Sequence, residues 1–215
     1  MYRRFDLVVF DIGGVLVQAV GSWTEAHARA GLQFPPPSGA RLEERLARLP
    51  KRNIGSVDSE RYYTLFAEAS EGVYSISDVR RIDDASLIGE YQGVGRVFDA
   101  LAVVSIDTAL LSNSNDAHWA RLFAAAPGEP EFPALLRARH RFGSHLLGVL
   151  KPDPRAYRHV EDVTGHSGDR ILYFDDVLEY VEAARNVGWT AEVIDHTADT
   201  AAQIMAFLRQ HGLVS

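Results

Sequence analysis

The stretch "VVFDIGGVLV" (residues 8–17) decides how the chain reads. A short apolar run delivers one carboxylate, Asp11, into a glycine-paired turn. Continuous hydrophobicity over so few residues predicts a strand buried on both faces. An acid at its carboxyl end stands where open parallel sheets bind ligands. Working outward, "DTALLSN" (107–113), "RILYFDD" (170–176) and "TAEVID" (190–195) repeat the pattern, and "RFGSHLLG" (141–148) is a further candidate. Helical patterns lie between them: "VGRVFDALAV" after Gly93, "DPRAYRHVEDVTG" opening at Pro154, "VLEYVEAARNVG" closing at Gly188, and "DTAAQIMAFLRQHG" closing at Gly212. Proline near a start and glycine just past an end mark helix boundaries. The alternation predicts an α/β fold, a Rossmann-like parallel sheet with right-handed crossovers and helices on both faces.

The rhythm breaks between residues 19 and 92, where the periodicity is helical. "SWTEAHARAGL", "SGARLEERLARL", "VDSERYYTLFAEASEG" and "SISDVRRIDDASLIGEY" predict four helices, with "FPPPSG" (34–39) as a stiff connector. The expected organisation is a core of residues 1–18 and 93–215 with an all-helical cap, 19–92, inserted after the first strand. Trp23, Tyr62, Tyr63 and Phe66 have the helical spacing of cap core rather than of a substrate platform. A length of 215 residues suits one domain with an inserted subdomain.

Composition narrows the chemistry. A net charge of −7 argues against nucleic acid or an anionic membrane as partner. The basic stretch "RARHRF" (137–142) reads as a solvated helix end. With no cysteine, disulfides and thiolate chemistry are excluded. No run approaches the roughly 18 apolar residues of a membrane span, and Asp11 interrupts the only apolar run near the N-terminus, so the expectation is a cytoplasmic protein. Arginine outnumbers lysine twenty to two, leaving Lys51 and Lys151 as the only compact ammonium groups.

The polar residues at the strand ends are Asp11, then Ser112 with Asn113, then Asp175 with Asp176; Lys151, in "GVLKPDP", falls between the last two groups. Taken singly, such residues are ordinarily caps, turns and loops. In this order, each at a strand end, they gather carboxylates, a hydroxyl, an amide and an ammonium at one rim.

These motifs resemble the haloacid dehalogenase-like hydrolase superfamily over nearly the whole chain. "VVFDIGGVL" is similar to its first motif, "LLSN" to its second, Lys151 in "LKPDPRAY" to its third and "ILYFDD" to its fourth; "EYVEAARNVGWTAEVI" resembles the segment that follows. The spacing between the first two is that of subfamilies with a helical cap. The resemblance implies that Asp11 is a nucleophile forming an aspartyl-phosphate. Ser112, Asn113 and the backbone N–H groups near Ile12 and Gly13 would then hold phosphate oxygens, and Lys151 would neutralise charge. Three crowded carboxylates call for Mg²⁺, with Asp11, Asp175 and the Gly13 carbonyl as ligands and Asp176 beside them. The implied reaction is hydrolysis of a small soluble phosphate ester, with the cap excluding bulky substrates.

Gly13 departs from the pattern, because many relatives carry there the acid that protonates the leaving group. A branch resembling α-D-glucose-1-phosphate phosphatases shares this glycine, which points to sugar phosphates. Glu179 and Tyr180 stand where relatives often have Asp and Asn; Glu179 could orient Lys151, but a helix N-terminal acid explains it more simply. His118 is close enough to the rim to be an acid, with a surface histidine as the plainer reading. Glu25 and His27 could reach down from the cap. Two rivals remain: a 2-haloacid dehalogenase-type hydrolase, which needs no metal, and a catalytically silent binding protein.

Overall fold

The computed structural model describes residues 4–33, 40–124 and 130–215. The connector 34–39 lies outside them. The first strand, β1 (Leu7–Phe10), is followed by β2 (Val17–Ala19), then by α1 (Trp23–Arg29), α2 (Ala40–Ala47), α3 (Ser59–Ala69), α4 (Ile76–Ala85) and β3 (Leu87–Glu90). The chain continues through α5 (Val94–Val103), β4 (Asp107–Ser112), α6 (Asp116–Leu122), β5 (His140–Gly143), α7 (Ser144–Leu147) and α8 (Pro154–Thr164). It closes with β6 (Ile171–Asp175), α9 (Leu178–Asn186), β7 (Thr190–Val193) and α10 (Thr200–Gln210).

Five strands form one parallel sheet in the order β5-β4-β1-β6-β7. Strand β1 is central, and all four of its residues are buried. Alternation along the strand divides its side chains between two cores. Val8 and Phe10 face a cluster with Val97, Leu101, Ile204 and Leu208 from α5 and α10. Leu7 and Val9 face one with Tyr157, Val160, Val181 and Ala184 from α8 and α9. Cover on both faces is why the run is apolar throughout rather than alternating. The register sets Phe10 beside Leu110 on one side and Phe174 on the other. Asp11, Ser112 and Asp175 therefore emerge at the same sheet edge.

Helices α1 to α4 bury a cluster of their own, built on Ala26, Tyr63, Phe66, Tyr74, Val79 and Ile82, with Trp23 and Tyr62 packed against it. Trp23 stacks on Phe66 at 4.5 Å between ring centroids. The aromatic residues of this region thus build core. Two features differ from the sequence reading. Strands β2 and β3 pair antiparallel where the chain enters and leaves the helical segment, with an irregularity between Gln18 and Ala19. Strands of three and four residues, one interrupted by Gly89, carry too little periodicity to stand out. "RARHRF" is not a helix end: Arg137 closes a 3₁₀ turn, and His140 to Phe142 lie on the edge strand β5. Among the described residues no helix is long and apolar enough to cross a membrane.

Candidate active site

The site begins where β1 stops. The Asp11 N–H still donates to Phe174 O (2.8 Å), so the backbone stays in the sheet while the carboxylate leaves its edge. The chain then turns tightly: the Leu16 and Val17 N–H groups donate to Ile12 O at 2.9 and 2.8 Å, and Gly14 N–H donates to Val17 O at 2.9 Å. This bridge leaves the Gly13 carbonyl outside the pairing. Gly14 has φ +74°, and a Cβ there would stand 2.2 Å from Asp176 Oδ2. Backbone geometry favours glycine at 14, and any side chain there would have to displace the Asp176 carboxylate.

Lys151 lies on the loop before α8, and Asn113, just past β4, fixes its backbone from both directions. The Lys151 N–H donates to Asn113 Oδ1 (2.9 Å), and Asn113 Nδ2 donates to Lys151 O (2.9 Å). The side chain is 1% exposed and runs to the sheet edge, with Nζ 2.8 Å from Asp11 Oδ1 and 2.7 Å from Asp175 Oδ2. The same ammonium donates to the Tyr173 hydroxyl at 3.0 Å, and that hydroxyl donates in turn to Asp175 Oδ2. Asp175 Oδ1 accepts the Val177 N–H at 2.9 Å. Ser112 is buried at the end of β4, on the same sheet edge.

Burial pushes the Asp11 carboxyl up to about 7, with Lys151 pulling it down and Asp175 pushing further up. Burial would lower the Lys151 ammonium, yet Asp11 and Asp175 hold it above its usual value. Asp176 is raised by burial and by Asp175, against the pull of His196, whose Nδ1 is 3.3 Å from Asp176 Oδ2.

One ammonium faces three carboxylates. Asp11, Asp175 and Asp176 each offer an oxygen within 4.8 Å of the others. Asp11 Oδ1 is buried and meets the ammonium as an ion pair, accepting no hydrogen bond. Crowded hard oxygens of this kind fit a small divalent cation of the magnesium type.

Other candidates lie elsewhere. Glu179 is exposed in the first turn of α9, consistent with a helix N-terminal acid. His118 is half-buried rather than on the surface: its Nε2 is 3.1 Å from Asp83 Oδ1 and 3.2 Å from Ser86 Oγ, joining α6 to the helical segment. Glu25 is exposed in α1, and His27 is buried against Tyr74. Sequence reasoning missed Tyr173, hidden in a strand read as wholly apolar, and saw Tyr180 only as a departure. The Tyr180 ring lies 5.0 Å from Lys151 Nζ, and its hydroxyl accepts from Asn113 Nδ2 at 3.3 Å. A cavity of about 390 Å³ lined by Lys51, Asn53, Tyr62 and Leu150 opens between the helical segment and the Lys151 loop.

The carboxyl edge of the parallel sheet thus joins one lysine to Asp11 and Asp175, with Asp176 beside them. The chain belongs to the haloacid dehalogenase-like hydrolases, whose family pattern matches residues 5–188. It is 35% identical over 71 residues to Phosphatase MT3486 of Mycobacterium tuberculosis (strain CDC 1551 / Oshkosh); the match spans 33% of each protein, so the chain covers about a third of that relative. An HAD family enzyme of Bacteroides thetaiotaomicron, solved in complex with magnesium and inorganic phosphate, has a TM-score of 0.74 at 16% identity, over 93% of this chain and 98% of that one. A predicted HAD-like hydrolase of Porphyromonas gingivalis has a TM-score of 0.77 at 19% identity, over 96% and 98%. At such identities these likenesses establish the fold.

Proposed function

We propose that this hydrolase is a magnesium-dependent phosphatase acting on a small phosphate ester through an aspartyl-phosphate on Asp11, with residues 19–92 as its cap. The observation that carries the reading is Lys151, buried and set between Asp11 and Asp175. A cation so placed pulls Asp11 toward its ionised, attacking form against the effect of burial, and meets the charge that arrives with a phosphate. Asp11, Asp175, the Gly13 carbonyl and Asp176 would hold magnesium, which neutralises the crowded carboxylates and the phosphate oxygens. An Asp11 carboxylate oxygen attacks phosphorus, the bond to the ester oxygen breaks, and the alcohol leaves with a proton from water. A second water then cleaves the aspartyl-phosphate, releasing phosphate and restoring the carboxylate. Ser112 Oγ and the N–H groups of Ile12 and Gly13 would receive the phosphate oxygens. The Asn113 amide serves the same rim indirectly, by fixing the Lys151 backbone.

The relative called a phosphatase and the neighbour solved with magnesium and phosphate support this reading. So does the acidic trio, because a metal-free dehalogenase has no use for it. The glycine at 13 and the resemblance to glucose-1-phosphate phosphatases favour sugar phosphates, whose anomeric oxygen leaves more readily than an ordinary alkoxide. Phosphate release from aryl and sugar phosphates, measured with magnesium and with chelator, tests the proposal. Activity should require magnesium and fall by at least about 10³-fold in Asp11→Asn, as losses of catalytic nucleophiles do. Metal-independent release of halide from 2-haloacids would overturn it.

A further inference from the structure

Lys151 carries the charge on which the site turns, yet nothing regular in the backbone aims it. It sits on a loop, and a lysine side chain has four rotatable bonds between that loop and the ammonium. Asn113 fixes only the backbone end. At the other end, three oxygens lie within 3.0 Å of Nζ, two accepting its hydrogen bonds and Asp11 Oδ1 meeting it as an ion pair. Two belong to the carboxylates of Asp11 and Asp175. The third is the Tyr173 hydroxyl, which is anchored by its own donation to Asp175 Oδ2 and lies wholly within the protein.

A second tyrosine closes the remaining side. The Tyr180 ring is 5.0 Å from Nζ, within the range of a cation–π contact. Its hydroxyl accepts from the same Asn113 amide that holds the Lys151 carbonyl. Its own carbonyl accepts from the Tyr157 hydroxyl at 2.9 Å, which ties the start of α9 to α8. Ring and hydroxyl of Tyr180 thus meet the Lys151 loop and its partner Asn113, and its backbone is held by α8.

We propose that Tyr173 and Tyr180 are positioning residues that clamp the Lys151 ammonium against Asp11 and Asp175. Without the hydroxyl at 173, the ammonium has a free N–H and can slide toward Asp175. Without the ring at 180, the side chain gains room to swing out of the site. Either shift moves the counter-charge away from Asp11, and errors of about 1 Å at a reacting centre cost up to roughly 100-fold in rate.

Only the kinetic arm of the test rests on the phosphatase reading. The other arm is chemical. The chain has two lysines, so reductive methylation followed by mass spectrometry reads Lys151 against the exposed Lys51 as an internal reference. Tyr173→Phe and Tyr180→Leu should raise the methylation of Lys151 relative to Lys51 by roughly tenfold, with thermal unfolding close to wild type. Tyr180→Phe, which keeps the ring, should bring the ratio most of the way back. On a phosphate ester the first two variants should lower kcat by roughly 10- to 100-fold while KM changes far less, and Tyr180→Phe should recover most of the lost kcat. A methylation ratio unchanged in both variants overturns the clamp, whatever the activity. If the wild type hydrolyses no phosphate ester, the functional reading fails, and the methylation ratio still decides on the clamp.

Discussion

Gly13 and Gly14 are neighbours with opposite reasons for being glycine. At 13 a Cβ would meet nothing nearer than Ala19 Cβ at 3.9 Å, and the backbone has no positive φ. Neither backbone strain nor crowding at Cβ therefore accounts for the missing acid. Gly13→Asp should fold normally and speed hydrolysis of esters with poor leaving groups, within the roughly 10²- to 10⁴-fold that general acid catalysis supplies. Aryl phosphates should gain little. Steady-state rates on a matched alkyl and aryl pair check this; equal effects on both would remove leaving-group protonation as the role of position 13. Gly14 is fixed by its φ of +74° and by Asp176. Gly14→Ala should destabilise the fold by about 1–2 kcal/mol, the usual cost of a left-handed non-glycine residue. It should also displace Asp176 and weaken magnesium binding by roughly 10- to 100-fold, as lost support of a metal ligand does. Denaturant melts and calorimetric magnesium titration measure the two losses separately.

Between elements, Asp83 of α4 is one point at which the helical segment meets the rest of the chain. This buried carboxylate is paired with Arg52, accepts the Tyr63 hydroxyl at 2.6 Å, and lies 3.1 Å from His118 of α6. Burial opposes its ionisation, but the hydrogen bonds from Arg52 and His118 prevail and hold it well below the usual carboxylate range. Its contribution to stability is complete above the unfolded value of 3.8 and is lost as pH falls toward the lower folded value. Asp83→Asn should cost about 3–5 kcal/mol at neutral pH, because Arg52 is left buried without its partner. The variant should also lose less further stability than wild type between about pH 5 and pH 2. Urea melts across that range measure both; parallel pH profiles would contradict the assignment. None of this junction was legible in the sequence, because Asp83 falls in a stretch that shows only helical spacing and His118 reads most plainly as a surface histidine. The central elements were legible for the opposite reason. Strands β1, β4 and β6 are covered on both faces, so their apolar runs cannot be mistaken for amphipathic ones. β2 and β3 bury too few residues to leave such a trace.

On the scale of the whole molecule, the fold accounts for why chemistry scattered from residue 11 to residue 176 becomes one site. The parallel register brings the ends of β1, β4 and β6 to a single edge, and the loop before α8 returns Lys151 to it. That convergence could be read from the order of the motifs. Its inner wiring could not, since the Tyr173 hydroxyl lies in a strand whose pattern reports only burial. The same architecture serves hydrolases that attack phosphorus and hydrolases that attack carbon, so fold alone does not choose between them. The intermediate does. Protein mixed with an aryl phosphate and magnesium, quenched in acid within a turnover and digested for mass spectrometry, should carry phosphate on the peptide containing Asp11, and Asp11→Asn should carry none. Phosphate release from the wild type with no label on Asp11 would contradict the account at its centre.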